Sequence, residues 1–368
     1  MSKLRFVGLD VHKDTIVIAI AEEGPAVPSV LGTFAHDVPK VVKQLGKLVS
    51  DVSLLRVCYE AGPTGFGLCR RLQAAGIECV VVAPSLVPQQ AGARVKTDRR
   101  DAARLAHFLR SGDLTAVWVP DEQTEALRDL ERSRDDAKNA ERVARHQLEK
   151  FLLRNERVFR SGRHWTMRHA AWLRQQKFTD PCKQCVMDDY FQAVEDATVR
   201  VKRLSKEIER FVEGAVVEPL IRSFRAFRGI STLSAVVIAA EIGDLKRFPT
   251  ARQFMAFLGL VPSEHSSGKT IKRGALTRTG NGHVRRILVE AAQHYRHRAT
   301  LSAALRKRQE GISQEVIDIA WKAQQRLTKR LTYLTERNKP RHKAIAAVAR
   351  ELAGFLWAVG QQPQPLAT

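Results

Sequence analysis

The sequence predicts an α/β N-terminal domain, a long antiparallel helical hairpin and a mainly α-helical C-terminal domain. Three observations carry this. Over the first 120 residues, short β-prone apolar runs alternate with amphipathic helical stretches. From 121 to 157 the chain is dense in charge and holds neither glycine nor proline, as one long helix requires. Beyond 216, helical patterns follow one another between turns containing Gly or Pro. At 368 residues the chain is too long for one small core. The boundaries read as 1–120, 121–215 and 216–360, with 361–368 a disordered tail.

Residues 4–20, LRFVGLDVHKDTIVIAI, read as a β-hairpin. Phe6, Val7, Leu9 and Val11 precede a His12-Lys13-Asp14 turn, and Ile16, Val17, Ile18 and Ile20 follow it. Asp10 lies inside the first strand. A carboxylate there carries a desolvation penalty unless something positive meets it, and a divalent cation suits an oxygen ligand best; a strand-end Asp capping its turn is the alternative. A third apolar stretch covers 29–34, and a helix over 38–49 puts Val41, Val42, Leu45 and Leu48 on one face. The strand 54–60 ends in Glu60; a turn at 61–65, a helix at 66–75 and a strand at 78–83 follow. The order β-β-β-α-β-α-β is that of the ribonuclease-H-like fold, whose first and fourth strands are neighbours. Asp10 and Glu60 would then lie side by side.

After a loop at 84–95, Thr97 or Asp98 starts a helix on which Asp98 and Asp101 share a face. If that helix packs over the Asp10/Glu60 edge, four carboxylates converge. They cannot all stay ionised without cations, which implies two bound Mg²⁺ or Mn²⁺ of the kind that serve phosphoryl transfer. Taken singly, Glu60 also fits a strand-end acid, and Asp98 and Asp101 fit helix-start acids with Arg99, Arg100 and Arg104 as solvated partners. The three sites together favour the metal reading.

Residues 115–120 form a last short strand. The helix 121–157 offers Leu127, Leu130, Ala137, Ala144, Leu148 and Phe151. A second helix at 189–213 offers Val194, Ala197, Val201, Leu204, Ile208 and Phe211 at alternating spacings of three and four, a coiled-coil seam. The pair reads as an antiparallel hairpin whose seam also suits dimerisation. Between them, 161–181 sets Trp165 and Trp172 among Arg163, His164, Arg168, His169 and Arg174, which fits nucleic-acid contact or packing at a helix junction. Gly229, between two helical patterns, suggests a helix-hairpin-helix turn with Ser231 in place of the usual second glycine. Phe254, Met255, Phe257 and Leu258 share an apolar face that reads as core. By composition 261–274, with Ser263, Ser266 and Ser267, is a polar loop, and no Ser/His/Asp order makes His265 a base. Lys269, Lys272, Arg273 and Arg278, then Arg285 and Arg286 beside His283, read as phosphate contacts or as a solvated basic face.

With 61 Lys+Arg against 39 Asp+Glu, the formal net charge of +22 points to a polyanionic partner, nucleic acid first. No apolar run approaches the about 20 residues of a spanning helix, and the N-terminus lacks a signal peptide's apolar stretch. Five cysteines are few and odd in number, which suits the reduced cytoplasm. Cys182 and Cys185 have half of a zinc-site spacing with no second pair, so unpaired helix-start cysteines are the expectation.

Read from both ends, the chain resembles the transposases of bacterial insertion sequences that join an N-terminal DEDD, RuvC-like domain to a C-terminal serine-bearing transposase domain. The carriers are VGLDVHKD with Asp10, CYEAGPTG with Glu60, KTDRRDAARLA with Asp98 and Asp101, and GISTLSAVVIAAEIGDLKRFPTARQFMAFLGLVPSEHSSGKT. The resemblance implies that the four acids bind the catalytic metals. It also implies that the serine before the glycine, Ser267, attacks a DNA phosphate and forms a phosphoserine link, with Ser266 leaving that assignment open by one residue. It further implies DNA partners (element ends and target), a structured guide RNA and a homodimer or higher oligomer. A metal-dependent junction resolvase using water would need the acids and no serine; a non-enzymatic nucleic-acid-binding protein would need neither.

Overall fold

The computed structural model describes residues 3–88, 97–267 and 270–362. Two compact units, Met1–Val119 and Pro120–Thr368, divide the chain. In the first, β1 (Arg5–Val11), β2 (Thr15–Glu22) and β3 (Ser29–Ala35) form an antiparallel meander. There follow α1 (Val38–Gly46), β4 (Leu55–Glu60), α2 (Gly67–Ala74), β5 (Glu78–Val82), α3 (Asp98–Ser111) and β6 (Ala116–Val117). The sheet runs β3-β2-β1-β4-β5-β6, with β1, β4 and β5 mutually parallel and β6 antiparallel to β5. This mixed sheet has the order expected of a ribonuclease-H-like domain. Leu9 pairs with Tyr59, so the next residues along the two neighbouring strands are Asp10 and Glu60.

Side chains alternate across a strand, and the two faces are covered differently. Val7, Leu9, Val57 and Tyr59 bury against Val41, Leu45, Leu68 and Leu72 of α1 and α2. The opposite face, Gly8 and Cys58, meets α3. A side chain at Gly8 would collide with the Ala102 carbonyl and would stand 2.5 Å from the Ala106 nitrogen and 2.8 Å from the Leu105 Cβ. Ala102 and Ala106 also pack with Ala19 and Ala21 of β2. Small residues on both sides let the α3 backbone lie on the sheet.

The second unit contains α4 (Glu122–Arg154), α5 (Met167–Arg174), α6 (Pro181–Val212), α7 (Glu218–Arg225), α8 (Thr232–Ile242) and α9 (Ala251–Phe257). A hairpin of β7 (Pro262–Glu264) and β8 (Arg273–Leu276) leads to α10 (Gly282–Ala292), α11 (Ala303–Gln309), α12 (Gln314–Glu336) and α13 (Arg341–Gly360). Helices α4 and α6 lie side by side in opposite directions: Arg134 Nε donates to Ser205 Oγ, and Thr198 Oγ1 donates to Glu141, each at 2.8 Å. Ala144, Leu148, Phe151, Met187 and Val194 bury between them. Helix α6 begins at Pro181, earlier than the expected 189, because Asp180 caps it by accepting from Lys183 N and Pro181 suits a first turn. Cys182 and Cys185 stand free and exposed in its first two turns. Phe211 is exposed, contrary to the seam expected of it, and Val212 takes the buried position. Trp165 and Trp172 pack on the α4/α6 apolar cluster with His169 ringed between them, its centroid 5.1 Å and 5.7 Å from theirs. Those rings serve the helix junction.

Helix α8 is buried over Ala235–Ile242 and centres the core of the second unit, with Phe254 and Leu258 in the same cluster. Gly229 sits between α7 and α8 with φ of 82°, and Ser231 caps α8. No described helix is long and apolar enough to cross a membrane.

Because the contact at Gly8 is with backbone, Gly8→Val is expected to destabilise the protein by about 1–3 kcal/mol in chemical denaturation. Gly46→Ala, where an added Cβ meets nothing within 4 Å, is expected to cost nothing.

Candidate active site

Period-two alternation carries the site. Asp10 shares a face with Gly8, and Glu60 with Cys58, whose Sγ donates to the Leu105 carbonyl of α3 at 3.5 Å. Both acids therefore lie on the face that α3 covers. Thr97 opens α3 by accepting from Arg100 N, so its first turn, with Asp98 and Asp101, comes down at the ends of β1 and β4. Asp101 stands one turn before Leu105 and is 8% exposed; the Asp98 side chain is 60% exposed.

His12 and Arg104 interleave with the four acids. His12 Nε2 lies 3.3 Å from Asp10 Oδ2 and 3.6 Å from Asp98 Oδ2. Arg104 Nη2 lies 3.1 Å from Asp101 Oδ1 and 3.7 Å from Glu60 Oε1. Burial pushes the Asp10 carboxyl above its ordinary value; the charges of Asp98 and Asp101 push the same way and His12 opposes them. Carboxylate oxygens are ligands that suit a hard divalent cation. Among the described residues, one group of His, Cys, Asp and Glu brings three donor atoms within 4.8 Å of one another, and it is Asp10, His12 and Asp98.

Sequence reasoning missed two members. His12 reads as a turn residue, yet it stands two residues after Asp10, where strand alternation returns a side chain to the same face. Arg104 reads as solvated, but its place one turn after Asp101 on a helix docked by Ala102 and Ala106 turns it toward the acids. Gly8 carried a signal as well: a lone glycine in a strand marks close backbone approach.

The serine-bearing segment lies in the second unit. The expected polar loop is instead an antiparallel hairpin, pairing Pro262 with Leu276 and Glu264 with Arg273. Its residues have weak β-propensity, so the pairing is tertiary: Gly274 leaves room for the Ser263 hydroxyl, and Thr277 N donates to the Val261 carbonyl at 2.9 Å. Ser266 Oγ donates to Glu264 Oε1 at 2.9 Å. Ser267 is exposed near the tip, held by reciprocal main-chain hydrogen bonds with Thr270 of 3.1 and 3.0 Å. Lys272, Arg273 and Arg278 are exposed, Arg273 Nε being 3.5 Å from Glu264; Lys269 lies outside the described residues. Arg285 and Arg286 are engaged within the fold. Arg285 Nη1 donates to the Leu258 and Thr279 carbonyls at 2.9 Å each, and Arg286 Nη2 pairs with Asp135 at 2.8 Å. Asn281 caps α10 and also donates to the buried Glu241, which Arg132 grips through both of its carboxylate oxygens.

Residues 7–155 match a family model described as a transposase, the DEDD type of the IS110 group. Residues 222–308 match the model described as the Transposase IS116/IS110/IS902 family. Among curated proteins, y4qE of Sinorhizobium fredii (strain NBRC 101917 / NGR234), which bears a transposase name, is 42% identical over 358 residues, covering 97% of this chain and 88% of its own. The transposase for insertion sequence element IS1533 of Leptospira borgpetersenii is 31% identical over 348 residues, covering 92% of this chain and 99% of its own. The DEDD match suggests the use of divalent metal in general terms.

The raised Asp10 value has a sign that can be measured. The folded chain holds the Asp10 proton more tightly than the unfolded one, so stability falls as pH rises from the unfolded value through the folded one, and the cost persists above both. Asp10→Asn is therefore expected to raise the Tm of the metal-free protein at about pH 7, a gain that vanishes below about pH 4. Millimolar Mg²⁺ should raise the wild-type Tm and leave Asp10→Asn nearly unmoved. Thermal denaturation followed by circular dichroism at both pH values checks this.

Proposed function

The chain belongs to the IS116/IS110/IS902 family of insertion-sequence transposases and is thus a DNA transposase, and we propose that it cuts and rejoins DNA through Ser267, with Asp10, Glu60, Asp98 and Asp101 holding two Mg²⁺ or Mn²⁺. Proximity is the observation that carries the metal part: His12 lies between Asp10 and Asp98, Arg104 lies between Asp101 and Glu60, and the donor atoms of Asp10, His12 and Asp98 fall within 4.8 Å of one another. Carboxylate oxygens brought this close suit a divalent cation. When bound, such ions stabilise the attacking and leaving oxygens of an in-line phosphoryl transfer.

In the proposed step, Ser267 Oγ attacks a DNA phosphorus. An Oγ–P bond forms as one P–O bond of the strand breaks, and the displaced DNA oxygen leaves as a hydroxyl carrying the serine's proton. Attack of a DNA hydroxyl on the phosphoserine reverses the exchange and restores the serine, so no external energy source is needed. Ser267 is preferred to Ser266 because it is the serine directly before the glycine, the position to which the resemblance assigns the nucleophile. Lys269, Lys272, Arg273 and Arg278 are proposed to contact phosphate. Arg285 and Arg286 are better read as holding α10 to its neighbours.

The partners proposed are the element's ends, its target DNA and a structured guide RNA, all polyanions suited to the +22 charge. The α4/α6 pair is proposed as a coiled-coil linker that supports a homodimer, and the cytoplasm as the compartment. A denaturing gel of the protein with element-end DNA, RNA and Mg²⁺ tests the chemistry. A covalent protein–DNA adduct is expected with wild type and is expected to be lost in both Ser267→Ala and Asp10→Ala. Cleaved DNA without adduct, surviving Ser267→Ala, would leave a metal nuclease using water.

A further inference from the structure

We propose that His12 is itself a metal ligand, its Nε2 joining the Asp10 and Asp98 carboxylates around one of the ions. The inference rests on the four-acid reading above and adds to it a nitrogen donor. Three observations carry it. The His12 main chain is held on both sides: its N–H donates to the Thr15 carbonyl at 2.8 Å, and its own carbonyl lies 2.6 Å from His36 Nδ1. The ring starts from a tethered position at the end of β1. Its Nε2 faces two carboxylates from different elements, Asp10 of β1 at 3.3 Å and Asp98 of α3 at 3.6 Å. Finally, the donor atoms of all three residues lie within 4.8 Å of one another.

The same distances suit a protonated imidazole acting as a counter-ion, but the two roles differ in chemistry. A ligand nitrogen must give up its proton to the solvent, and it then offers the ion a softer donor than oxygen. A carboxylate-only set suits Mg²⁺, whereas an imidazole moves preference toward Mn²⁺ and the later first-row metals. The two halves of the site therefore differ. The Asp10/Asp98 half carries a nitrogen, and the Glu60/Asp101 half carries the Arg104 guanidinium, which has no lone pair to give. His12 thus sets both the identity of the preferred metal and the half of the site that fills first.

The test is a titration of the full chain with MnCl₂, without nucleic acid, in wild-type, His12→Ala, His12→Gln and Asp10→Asn forms. Free Mn²⁺ is counted by electron paramagnetic resonance, and nitrogen bound to the metal is read from ¹⁴N modulation in pulsed spectra. Competition with MgCl₂ gives the preference. The wild type is expected to show ¹⁴N modulation. Both His12 variants, folded by circular dichroism, should lose it, bind Mn²⁺ about tenfold more weakly and discriminate less between Mn²⁺ and Mg²⁺. Binding that depends on Asp10 but shows no ¹⁴N modulation, or is unchanged in the His12 variants, overturns the role of His12 and leaves the four-acid site standing. Wild-type binding no stronger than that of Asp10→Asn overturns both.

Discussion

The contact of α3 with β1 at Gly8 is the constraint on which the candidate site depends. There is no side chain between strand and helix at this point, and the Ala102 carbonyl and Ala106 nitrogen take the space a Cβ would fill. Alanines on α3 and β2 continue the close packing on either side. With the helix that near, its first turn has little freedom: Asp101 is pressed into a buried place and Asp98 is left at the rim beside His12. A wider spacing, set by ordinary side chains, would hold the same acids apart.

That docking runs against electrostatics. Burial, with the charges of Asp98 and Asp101 nearby, raises the cost of ionising Asp10. His12 and Arg104 offset part of this, each spanning two acids. Carboxyls perturbed by burial and by like charges in this way are enriched at functional sites.

In the second unit, basic residues have a second use. Arg132 grips the buried Glu241, Arg128 donates twice to the Ala240 carbonyl, Arg285 ties two loop carbonyls, and Arg286 joins α10 to Asp135 of α4. These guanidinium groups act as cross-links within a helical core. The net charge of +22 is therefore no map of a nucleic-acid surface; the exposed Lys272, Arg273 and Arg278 have a stronger claim to one than Arg285 or Arg286.

The strand and helix order, the adjacency of Asp10 to Glu60 and the shared face of Asp98 and Asp101 were legible in the sequence. They follow from period-two and period-3.6 patterns, which are local and survive in a string of letters. The start of α6, the β7/β8 hairpin and the exposure of Phe211 were not, because a cap, a glycine's clearance and a competing neighbour at Val212 decide them. What the sequence by itself determined was therefore the elements that carry the four acids, β1, β4 and α3, and the adjacency of those acids along them. Only the tertiary structure decided that His12 and Arg104 stand among those acids and that Arg285 and Arg286 turn inward. A charged side chain's partner is chosen by what lies across the packing interface, and that neighbour is distant in sequence.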